Sequence, residues 1–159
     1  MHSVISYRAG IPHLTLALLL ATCAPCASAA AADDYVLDQA ALTNLKMHAE
    51  QADPRVQCYL YVQLVHHMTE LAGHQLEQGD TTNAAATLAE VSTYADRVHE
   101  HLGDSSKRVK DSEMLMHRTT QRLSGFIQRA SAEDRPMLEG ALKRLNQVQS
   151  ELLTAVFKH

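Results

Sequence analysis

Beyond residue 33, the strong helix-breaking signals fall at four places, and their spacing leaves room for little but long helices. Asp53-Pro54 pairs an N-cap with proline at a first helical position. Gly79-Asp80-Thr81-Thr82 and Gly103-Asp104-Ser105-Ser106 share one form. In each, glycine can end one helix in the left-handed conformation while Asp, Thr or Ser caps the next. Ser131-Ala132-Glu133-Asp134 resembles a capping box, with Pro136 still in the first turn. The chain therefore divides into five helical segments near 34–52, 54–78, 81–102, 105–130 and 132–158. The last four hold about 21–27 residues, so each runs roughly 30–40 Å at 1.5 Å per residue.

Apolar spacing supports the division. Ala84, Leu88, Val91, Ala95, Val98 and Leu102 alternate steps of four and three, as do Leu138, Ala141, Leu145, Val148, Leu152 and Ala155. Each set is one stripe on an otherwise polar helix. The second segment carries two stripes: Leu60, Leu64, Met68 and Leu71, then Cys58, Tyr61, Val65, Ala72 and Leu76. A helix apolar on two sides belongs in the middle. The fourth is the least apolar, with Val109, Met116, Leu123, Phe126 and Ala130 on its inner face. Tyr 5, Phe 2 and Trp 0 are too few aromatics for a sheet sandwich. Connections of two to four residues make chain neighbours antiparallel. The expected fold is all-α: an up-down antiparallel bundle of four long helices plus a shorter N-terminal helix, as a single domain over 34–159.

Residues 1–29 read as a signal peptide. Arg8 supplies positive charge, Leu14–Ala21 is apolar, no Asp or Glu precedes Asp33, and Ala27-Ser28-Ala29 is a small-x-small cleavage site. Residues 30–33 form a short Ala-rich linker. The apolar run is too short to span a bilayer, so the mature chain has no transmembrane helix. The expectation is an exported bacterial protein, periplasmic or secreted. Cys23, after Leu20-Ala21-Thr22, is an alternative lipidation point, with Thr22 bulkier than the residue usual there. Cleavage leaves Cys58 alone, which excludes an internal disulfide.

Charge is unevenly divided. Asp33–Asp104 holds 12 acidic and 3 basic residues, and Ser105–His159 holds 6 acidic and 10 basic. Either the acidic front helices pair with the basic back helices, or Lys107, Arg108, Lys110, Arg118, Arg122 and Arg129 face an anionic envelope partner. An unidentified protein and a second copy of the chain are the other candidate partners. A net acidic, exported chain with almost no aromatics interleaved among its basic residues is a poor candidate for nucleic-acid binding.

Histidine is the unusual component, with eight beyond residue 29: His48, His66, His67, His74, His99, His101, His117 and His159. His67, Glu70 and His74 are spaced by three and four on one helix face, with His66 one turn before Glu70. Glu113 and His117 repeat the four-residue spacing. Imidazole and carboxylate so arranged could bind a divalent transition metal such as Zn²⁺, Cu²⁺ or Ni²⁺. The plain alternative makes His67, on the Leu60, Leu64 and Leu71 stripe, a core-edge residue.

No cofactor signature is complete. No Glu-x-x-His occurs for a di-iron bundle, and Cys23-Ala24-Pro25-Cys26 is followed by Ala27 where c-type haem needs His. Gly-x-Ser-x-Gly and phosphate-loop motifs are also missing, so no catalytic residue is assigned. The sequence points to a non-catalytic binding or interaction module of the cell envelope. Metal binding through His66, His67, Glu70, His74, Glu113 and His117 is the alternative, and a small helical enzyme the third reading.

Overall fold

A computed structural model describes residues 36–103 and 108–158. The stretches read as a signal peptide and an Ala-rich linker, with Cys23, lie outside the described residues, as do Lys107 and His159. Five helices account for the described fold: α1 (Gln39–Gln51), α2 (Pro54–Glu77), α3 (Thr81–His101), α4 (Val109–Arg129) and α5 (Arg135–Val156).

The expected caps form at two of the four breaks. Asp53 accepts from the Arg55 N–H at 2.8 Å, and Asp80 from the Asn83 N–H at 3.2 Å. Gly79 is left-handed at φ 77°, as a helix C-terminus requires. At the last break Ser131 Oγ accepts from the Asp134 N–H at 3.0 Å and donates to the Asp134 carboxylate at 2.7 Å, but these bonds shape a turn ahead of α5, which starts at Arg135, three residues later than the spacing suggests, with Asp134 as an N-cap whose side chain makes no capping bond. The break at Gly103 differs as well. Helix α4 starts at Val109, four residues later than the spacing suggests, and its N-cap Arg108 is left-handed at φ 63°.

The apolar stripes become the core. Leu88, Val91, Ala95 and Val98 of α3 and Leu138, Ala141, Leu145, Val148 and Leu152 of α5 are all buried. Helix α2 lies centrally, touching α1, α3 and α4, which explains its two apolar faces. Helix α1 runs antiparallel along the outside of α2, its C-terminal carbonyls capped from α2. Gln57 Nε2 donates to the Ala49 and Glu50 carbonyls at 3.1 and 3.3 Å.

Four long helices alternate in direction, and around the bundle their order is α2, α3, α5, α4. Consecutive helices need not be neighbours: α3 and α4 are diagonal in this ring. Two seams are therefore antiparallel, α2–α3 and α4–α5, and two are parallel. Along α2–α4 the partners advance together: His66 with Thr119, Glu70 with Arg122, Glu77 with Arg129. Along α3–α5, Asp96 meets Arg144 and His99 meets Glu151.

Parallel neighbours set like dipole ends side by side, and charged pairs bridge those two seams. The antiparallel seams carry neutral bonds instead, such as Thr87 to Gln75 and Thr120 to Gln149. Three of the four ion pairs named across the parallel seams join an acid of the front hairpin to an arginine of the back one. His99–Glu151 runs the other way.

Candidate functional site

Three buried polar side chains, His66, Glu70 and Thr119, lie at the α2–α4 seam. His66, one helical turn before Glu70, turns inward and is only 3% exposed. Its Nδ1 lies 3.0 Å from Thr119 Oγ1. That hydroxyl also donates to the Leu115 carbonyl at 2.8 Å, the usual helical back-bond. A hydroxyl has one hydrogen, so while Thr119 back-bonds to Leu115 the hydrogen of its contact with His66 comes from Nδ1.

Glu70 is equally buried, at 3%, and meets the guanidinium of Arg122, whose side chain is 41% exposed. Arg122 Nε stands 3.0 and 3.1 Å from the two carboxylate oxygens. Farther along, Arg129 approaches Glu77 at 3.6 Å. Phe126 lies between these arginines, with ring centroid distances of 5.5 Å to Arg122 and 5.3 Å to Arg129. It packs on Gly73, where any side chain would strike its ring.

Nearer the start of both helices the seam opens into a groove of about 300 Å³, lined by Tyr59, Gln63, His66, His67, Arg108, Asp111, Met114, Leu115 and Arg118. Arg108 is positioned on both sides. Its guanidinium sits 3.6 Å above the Tyr59 ring, and its Nε donates to Asp111 at 3.0 Å. A left-handed non-glycine residue costs about 1–3 kcal/mol and persists only where its surroundings hold it. Here the aromatic face and the carboxylate do so.

The six residues expected to ligate a metal are dispersed. His66 is tied to Thr119 and Glu70 to Arg122. His74 is exposed and bonds Gln78 in its own helix. Glu113 is half-buried on α4, and exposed His117 is bracketed by Gln121 and Gln149. Among the described residues no three His, Cys, Asp or Glu side chains are grouped to hold a metal ion. Spacing put His67 on the apolar stripe, but His66 is the more deeply buried, because α4 closes over that side with Thr119.

The basic set divides as well. Arg122 and Arg129 are turned onto Glu70 and Glu77, as the alternative of front-to-back pairing anticipates. Arg108 and Arg118 remain at the groove, and Lys110 is exposed. Thr119, Tyr59 and Gly73 went unnoticed in the sequence, since nothing local marks a residue for contact with a helix some fifty positions away. Protein-family models, curated proteins and solved structures provide no match to this chain.

Proposed function

We propose that this chain is a non-catalytic binding module of the bacterial cell envelope, exported to the periplasm or beyond, whose α2–α4 groove receives an acidic group of its partner. One observation carries the reading. Two guanidinium and two imidazole groups line the same groove, against the single carboxylate of Asp111. Tyr59, Met114 and Leu115 give it apolar walls, so a charged group seated there is partly withdrawn from water and its pairing strengthened. The groove's size is at the lower end for small-ligand sites, which suits one side chain or a small acid. Export is supported by the charge and apolar pattern of residues 1–29.

The test is a fluorescence anisotropy titration of residues 30–159 with labelled oligoglutamate at low salt. Binding should weaken at least tenfold in the Arg108→Asn, Arg118→Ala double variant, asparagine being chosen because it tolerates the left-handed backbone. Equal affinity in both proteins would remove the groove from the interaction. Intact mass of the chain recovered from the envelope should correspond to a start at Ala30.

A further inference from the structure

The geometry points to a lipid-docking surface: the outer face of the α4–α5 hairpin, at the end where α4 begins and α5 ends, seats on an anionic bilayer. Among the described residues four large apolar side chains are exposed, and three of them gather here: Met114 at 52%, Leu153 at 44% and Phe157 at 83%. Leu153 and Phe157 are one turn apart on α5, whose helical backbone continues through Phe157. One turn before Leu153, Gln149 bonds His117 and Thr120 of α4. Continuing that antiparallel register turn by turn brings Leu153 level with Glu113 and Met114, and Phe157 level with Lys110. Single exposed apolar residues are ordinary on any protein. Three at one end of one hairpin, with the last of them mostly bare, form a patch.

Charge selects the partner. Lys110 and Lys158 are exposed, and among the described residues neither enters an ion pair. Of the acids nearby, Asp111 is held by Arg108 and Glu113 is half-buried. The hairpin also belongs to the basic half of the chain. Ser105–His159 has 10 basic against 6 acidic residues, and Asp33–Asp104 has 12 acidic against 3 basic. The α2–α3 hairpin forms the opposite side of the ring, so an anionic surface draws the basic face toward it and turns the acidic one to water. The apolar side chains are spaced along two helices with lysines beside them. Fluid acyl chains close around each one separately, while the lysine stems reach the headgroups. The contact is interfacial, since no described helix is long and apolar enough to cross a membrane. The patch meets the groove at Met114, and it stands whether or not the groove receives an acid.

The test is co-sedimentation of the residue 30–159 protein with vesicles of phosphatidylglycerol and phosphatidylcholine, against vesicles of phosphatidylcholine alone. At low salt, partition should be at least tenfold stronger on the anionic vesicles and should weaken as salt rises. Leu153→Ser with Phe157→Ser should lower it at least tenfold while circular dichroism stays unchanged. Lys110→Gln with Lys158→Gln should lower it at least threefold on anionic vesicles alone, and Glu113→Gln should raise it. The chain contains no tryptophan, so Phe157→Trp supplies a single reporter. Its emission should shift to the blue on anionic vesicles and be quenched by brominated lipid. Met47→Trp, on α1 against α2 and away from the hairpin, should stay unquenched. Absence of vesicle binding, equal partition on neutral and anionic vesicles, or equal quenching at the two positions overturns the inference. Self-association that is lost in the Leu153, Phe157 variant, without vesicle binding, would give the face to a second copy of the chain and overturn it too.

Discussion

Arg122 Nε reaches both carboxylate oxygens of Glu70, at 3.0 and 3.1 Å, and joins a half-exposed guanidinium on α4 to a buried acid on α2. Removing only the arginine leaves a carboxylate with little water and a partner lost. Arg122→Ala should therefore destabilise the fold by about 2–4 kcal/mol, somewhat under the range for fully buried pairs because Arg122 retains solvent. Adding Glu70→Leu should recover most of the loss, since the buried charge is then gone. Urea denaturation of the two single variants and the double variant measures the coupling. Additive losses would mean that the pair contributes no specific energy.

Gly73 and Gly140 should respond oppositely to alanine. At Gly73 an added Cβ would come within 2.2 Å of the Phe126 ring, whereas at Gly140 nothing lies within 4 Å. Alanine improves helix propensity by about 1 kcal/mol at either position. At Gly140 that gain should appear as a stabilisation of up to about 1 kcal/mol. At Gly73 the clash should outweigh it, giving a net loss of about 1–2 kcal/mol. Combining Gly73→Ala with Phe126→Leu should relieve part of the loss, read from thermal unfolding of all four proteins.

Stability should be uneven along the chain. Helix α1 buries Leu42 and Ala49 alone, while α2 buries thirteen residues. Local opening of α1 sacrifices few contacts, so its amides should exchange at least tenfold faster than those of α2. Hydrogen–deuterium exchange by mass spectrometry checks this. Gln57→Ala, which uncaps the Ala49 and Glu50 carbonyls, should accelerate exchange in α1 further.

Alkaline pH should loosen the corner where α1, α2 and α3 meet. Burial lifts the phenols of Tyr61 and Tyr94 above the ordinary value of 10.0, against the opposing pull of Arg97 on Tyr61 and chiefly of Lys46 on Tyr94. Burial pulls Lys46 down, but its hydrogen bond to Glu90 and the Tyr94 and Glu90 charges raise it overall above 10.5. All three groups hold their protons more firmly when folded. The stability this provides is complete below pH 10.0 and is lost as pH rises through the raised values. Absorbance titration of tyrosinate should show two phenols ionising late, and the urea midpoint should fall above pH 10.

The helices and most of the core were legible in the sequence. Period 3.6 places a stripe on one face whatever that face later meets, so most of the buried residues of α3 and α5 could be named, though Leu102 and Ala155 at the ends are only half-buried and Thr87 was not among those named. Two stripes on α2 likewise required a central helix, and the acidic front and basic back anticipated Glu70–Arg122 and Glu77–Arg129. Tertiary structure decided which helices became neighbours. Short links led to the expectation of antiparallel chain neighbours, but α3 and α4 are diagonal, and α2 and α4 are parallel partners. That pairing brought Thr119 to His66, Phe126 to Gly73 and Arg108 to Tyr59, and so built the groove. Local periodicity reports which way a side chain faces along its own helix; it holds no information on the direction or register of a helix fifty residues away, and those two quantities create the site.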